Sequence, residues 1–178
     1  MDAAEVIRVI ETGAQQYFGG LLNEVRSNLG TTYYRRLSNE ELTRRMTVVY
    51  KGLEDWLTSR DEAAVRAAGE DLGKRRFGEA VPLGQVVLSL ILEEKYLRKY
   101  FADQGVLLEG EWSGVISDYF RTLIYHTAKG YEDALAYSNR LAQGGAAPTD
   151  ESQQPGTQPP KEGEFEVSRG GEIGEVSG

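Results

Sequence analysis

The stretch Ser38-Asn-Glu-Glu-Leu-Thr-Arg-Arg-Met-Thr-Val-Val-Tyr-Lys-Gly-Leu-Glu-Asp-Trp-Leu57 decides the fold class. Leu42, Met46, Val49, Leu53 and Trp56 recur at steps of four, three, four and three, which puts them on one face of a helix. Ser38 followed by Glu41 is a capping-box pattern that opens it. The same period runs outward in both directions. Upstream, Val6, Ile10, Tyr17, Leu21 and Val25 predict one helix over 3–28, bent or closely packed at Gly13, Gly19 and Gly20. Downstream, Asp61 caps a third helix ending near Gly78, with Ala63, Ala64, Val65, Ala67, Ala68, Leu72 and Phe77 as its apolar content. Such small residues call for a close neighbour.

Pro82 suits the first turn of a fourth helix, where its missing N–H costs nothing. Leu83, Val86, Val87, Leu90, Ile91, Leu97, Tyr100 and Phe101 make this the element expected to be most buried, and Gly105 ends it. A fifth helix over 111–142 carries Trp112, Ile116, Tyr119, Leu123, His126, Tyr131 and Leu135 along one seam, stopped by Gly144 and Gly145. The expectation is an all-α bundle of five helices.

Composition changes sharply at Gln143. Residues 144–178 hold 8 of the 21 glycines and 4 of the 5 prolines, and −5 of the formal charge of −8. A segment so rich in Gly, Pro, Glu, Ser and Gln buries too little apolar surface to offset its ordering entropy, so a disordered acidic tail is expected. The domain organisation is thus a helical domain over 1–143 and a tail over 144–178. Within the tail, Phe165 and Val167 alternate with acids, and Ile173 and Val176 follow between glycines. These four side chains suit a docking peptide that adds as a strand to a partner's sheet edge, or else belong to a solubilising extension.

The chain of 178 residues has no cysteine and one histidine. That excludes disulfides, thiolate nucleophiles, Cys-ligated metals and multi-histidine metal sites within one chain. No metal or cofactor is expected. The acidic balance argues against nucleic acid as a partner. The longest apolar run, Val86 to Leu92 with Ser89 inside it, is too short to span a bilayer, and no signal peptide begins the chain. A soluble cytoplasmic protein is expected.

His126 is the single imidazole. It is either a haem axial ligand or proton-linked sensor, or, more plainly, a histidine hydrogen-bonded at the edge of the core. Tyr119, Leu123, Tyr96 and Tyr100 would line a pocket with it for a small apolar ligand. Tyrosines at helical spacing are otherwise core-edge residues with hydroxyls near water. The pairs Glu93-Glu94 and Glu132-Asp133 belong to no Glu-x-x-His pattern and read as solvated helix surface. Arg35-Arg36, Arg44-Arg45 and Lys74-Arg75-Arg76 suit a phosphate or an acidic strip, yet each has acidic neighbours that favour surface ion pairs. These residues assemble no catalytic cluster, and a non-enzymatic role is expected.

The segment from Asp71 to Leu92, with Leu72-Gly73-Lys-Arg-Arg76 closing one helix and Pro82-Leu-Gly-Gln-Val-Val87 opening the next, resembles the N-terminal sensor domains of stressosome co-antagonist (RsbR-type) proteins. Similar domains precede some bacterial histidine kinases. Leu37–Leu42 and Leu53–Leu57 fit the same rhythm. The resemblance implies a globin-like fold without haem, a homodimer, and a signal-input module in a stress response that binds a protein partner. It carries no catalytic residues. No output domain follows in this sequence, so output through a separately encoded partner is the natural substitute.

Overall fold

The computed structural model of the chain describes residues 3–106, 108 and 110–144, and these residues form six α-helices and one 3₁₀ turn. The helices are α1 (Ala3–Thr12), α2 (Ala14–Ser27), α3 (Asn39–Ser59), α4 (Glu62–Gly78), α5 (Leu83–Asp103) and α6 (Glu111–Ala142), and Thr32–Arg36 form the 3₁₀ turn. Among the described residues there is no strand, so the all-α class stands. The tail residues Phe165, Val167, Ile173 and Val176 lie outside the described residues.

The expected five helices become six because the first one divides at Gly13. A Cβ at Gly13 would collide with the Tyr100 hydroxyl, so the glycine lets α5 press into the break. Local sequence marked the glycine, but the cause lies on another helix. Elsewhere the caps form, although Pro82 is the N-cap of α5 rather than in its first turn, and the Glu41 carboxylate binds Arg44 and Arg45 rather than closing the capping box. Ser38 accepts from the Glu41 amide at 3.1 Å and Asp61 from the Ala64 amide at 3.1 Å. Past α4, Val81 N donates to Arg76 O and Ala80 N to Phe77 O, a Schellman closure with Ala80 left-handed at φ 56°. Gly105 closes α5 in the same way, at φ 72°.

The core gathers Val6, Ile10, Leu21, Val25, Leu42, Met46, Leu53, Leu97, Phe101, Ile116 and Phe120. Tyr17 sits among them, its ring 5.1 Å from Phe18, 5.3 Å from Tyr100 and 5.8 Å from Tyr96. Edge-on and tilted ring contacts of this kind add to the burial of apolar area. Trp56 is half-buried rather than fully inward, and its Nε1 donates to Val115 O at 2.9 Å.

The alanines of α4 do not make its close contact. Ala63, Ala64, Ala67 and Ala68 are exposed, and the buried stripe is Val65, Gly69, Leu72, Gly73 and Arg76. Gly69 lies against Leu123 and His126, Gly73 against Thr127 and Tyr131, and Phe77 against Tyr131. The register advances in one direction along both helices, so α4 and α6 run parallel. A Cβ at Gly69 would lie 2.8 Å from His126 Cβ. One at Gly73 would lie 2.6 Å from Tyr131 N, and one at Gly130 2.6 Å from Glu70 Cα. The two backbones touch because these positions lack side chains.

Two expectations about burial change. On α5, Ile91 faces solvent, while Ser89 and Glu93 are buried. On α6 the seam is buried from Ile116 to Gly130, but Leu135 is exposed because α4 has ended.

Candidate functional site

Val86, Leu90, Glu93, Leu97 and Tyr100 step along α5 by four, three, four and three, which is the inward period. Glu93 therefore enters the core and is 7% exposed, where a solvated helix surface was expected. No described residue donates a hydrogen bond to its carboxyl. Burial pushes its pKa up to about 8, opposed only by the field of Arg76. A cavity of about 20 Å³, room for about one water, lies between Glu93, Tyr34, Ser89 and Met46 on one side and Arg45 and Arg76 on the other. Ser89 Oγ is 3.1 Å from the Tyr34 hydroxyl and donates to Val86 O at 2.8 Å. The neighbouring Glu94 has a different task. Together with Ser113 and Ser117 it holds Arg98, which pins α5 to α6.

Arg76 follows the same logic on α4, where Val65, Gly69, Leu72 and Arg76 step by four, three and four. Its side chain and that of Arg45 on α3 are each 10% exposed, and Glu79 lies between them. Arg45 Nη1 donates to Glu79 Oε2 at 2.8 Å, and Arg76 Nη1 reaches the two Glu79 oxygens at 3.0 and 3.1 Å. Arg45 Nε donates to Glu41 at 2.6 Å, and Arg44 grips the same carboxylate through two nitrogens at 2.8 and 2.9 Å. The bonds from Arg44 and then Arg45 hold Glu41 down at about 2. Burial works against the charge of Arg45, but its bonds to Glu41 and Glu79 leave its pKa raised.

Outside this bridge lies a second cavity of about 120 Å³, bordered by Arg44, Arg45, Arg75 and Arg76 over Val48 and Leu72. It shares Arg45, Arg76, Val49 and Leu72 with the inner one. Sequence placed the two arginine pairs apart, each beside its own acids; folding brings them to one wall. Arg35 is not part of it. It caps the end of α2 by donating to Arg26 O at 2.9 Å and Asn28 O at 3.0 Å.

The residues singled out from sequence fall in separate places. Tyr119 and Leu123 adjoin a cavity of about 110 Å³ beside Trp56, and the Tyr119 hydroxyl donates to Val49 O at 2.6 Å. Tyr100 walls an open groove of about 770 Å³ with Arg8, Gln16 and Gln104. Tyr96 lies against Gly20, and Tyr17 connects it to Tyr100. His126 borders none of these cavities. Its Nδ1 is 3.3 Å from Glu70 Oε1, and Lys129 Nζ is also 3.3 Å from that oxygen. Among the described residues no group of three or more His, Cys, Asp or Glu could hold a metal ion, and no helix is long and apolar enough to cross a membrane. Sequence reading placed Glu93 on solvated surface and Arg76 in a basic cluster favouring surface ion pairs; the signal for their burial was their place in the inward register.

Comparison with protein-family models, characterised proteins and solved structures finds no match for this chain.

Proposed function

We propose that the chain is a non-enzymatic regulatory protein: a dimeric, globin-like helical input module of a bacterial stress-signalling type, working in the cytoplasm on a protein partner. Residues 144–178 act as its docking peptide. One observation carries this reading, the uncovered end of α6. Helix α6 has 32 residues, about 48 Å at 1.5 Å per residue. Its last turns continue the buried seam. Eighteen residues make five full turns at roughly 3.6 residues each, so Tyr137 lies in line with Tyr119 and Leu141 in line with Leu123. Tyr119 and Leu123 are 2% and 3% exposed, whereas Tyr137 and Leu141 are 40% and 45% exposed. An apolar stripe that runs on past its own core is suited to covering by a second protein surface.

Two measurements on the full chain test the reading. Light scattering at tens of micromolar should give twice the 19.7 kDa chain mass; a monomer contradicts dimerisation. Recovery of binding partners by the full chain should exceed recovery by residues 1–143. Equal recovery of every partner removes the docking role of the tail.

A further inference from the structure

The outer arginine cavity has more donor capacity than its acids use. Arg45 and Arg76 are nine-tenths buried and share one carboxylate, Glu79. Their bonds to described residues use Nε and Nη1 of Arg45 and Nη1 of Arg76, which leaves Nη2 of both, and Nε of Arg76, with no described acceptor. Arg44 and Arg75 stand at the rim, each more than half exposed, paired with Glu41 and Asp71. Guanidinium nitrogens that border the cavity without a protein acceptor suit an oxyanion. Behind the bridge, Glu93 holds its proton at neutral pH and offers no compensating charge. The space of about 120 Å³ corresponds to about four waters at 30 Å³ each, enough for a compact anion. The buried apolar floor of Val49 and Leu72 lowers the local dielectric and strengthens the attraction.

We infer that this cavity, between α3 and α4, is a binding site for a small tetrahedral oxyanion of the phosphate class, held by Arg44, Arg45, Arg75 and Arg76 in competition with Glu79. The inference deepens the reading of the chain as an input module, since it supplies the chemical class of the input. Arg45 and Arg76 also wall the inner cavity, so an anion bound outside alters the field at Glu93 inside the core. Guanidinium forks suit phosphate oxygens better than a point charge would, which is why four arginines and no lysine border the cavity.

The test is calorimetric titration of the full chain with sodium phosphate, against sodium chloride and sodium succinate at matched ionic strength and pH 7. Saturable binding of one phosphate per chain is expected. The Arg44→Gln/Arg75→Gln variant, altered only at the exposed rim, should bind about tenfold more weakly, and Glu79→Gln about tenfold more tightly, each about 1.4 kcal/mol. Helicity by circular dichroism confirms that the variants fold. Absence of saturable heat beyond the chloride control overturns the inference. So does an affinity that the rim variant leaves unchanged, and so does binding of succinate but not phosphate. Light scattering separates this from the module reading: a monomer that still binds phosphate refutes the dimer and leaves the anion site standing.

Discussion

Tyr119 and Tyr137, and likewise Leu123 and Leu141, occupy equivalent positions on one helix face and meet opposite surroundings. Over the first pair, Val49 and Gly52 of α3 meet Tyr119 and Gly69 of α4 lies against Leu123; over the second, no described element of the chain lies at all. Sequence periodicity specifies which face of α6 is apolar. It does not specify where along that face the chain's own cover stops. That point is set by the length of α4, which ends at Gly78 beside Tyr131.

The comparison breaks most severely at Gly130. Gly130→Ala places a methyl against the Glu70 backbone, which cannot rotate away, so a loss of about 3 kcal/mol or more is expected, or failure to fold. Urea unfolding of Gly130→Ala, set against Ala134→Gly in the uncovered half, checks it. Leu123→Ala should cost about 3 kcal/mol through lost burial and a cavity. A cost below about 1 kcal/mol would mean that the covered half is not closely packed.

Glu93 sharpens the contrast on the covered side. Its folded pKa of about 8 lies well above the ordinary carboxyl value of 4.5, so the folded state keeps a proton that the unfolded chain has released. Stability should therefore be undiminished below about pH 4.5 and fall as pH rises toward 8. Glu93→Gln removes that dependence. Its stability relative to the parent should rise by about 2 kcal/mol or more between pH 5 and pH 9; parallel pH profiles would contradict the buried, protonated carboxyl. The smallest effect belongs to Leu141→Ala, which should change chemical stability by less than about 0.5 kcal/mol in dilute, monomeric protein.

Much of this was readable from residues alone. Ser38 and Asp61 announced their helices, and the span of α6 follows from Glu111 to the stop before Gly144. Gly13 was legible as a bend or close approach, but the full break was not, because Tyr100 comes from a helix far along the chain. Alanines promised the close packing of α4, but Gly69 and Gly73 perform it: packing backbone on backbone requires the absence of Cβ, not merely a small side chain. The burial of Glu93 and Arg76 was legible in register, but their charge suggested solvent. The joining of Arg44-Arg45 with Arg75-Arg76 depends on how α3 meets α4, which no local pattern encodes.

The central claim is that the uncovered end of α6 is an interface. Light scattering of Tyr137→Glu/Leu141→Glu beside the parent chain, at the same concentration of tens of micromolar, tests it most directly. A parent dimer and a variant monomer of unchanged helicity are the predicted result. A variant that stays dimeric, or a parent that is already a monomer, would contradict it.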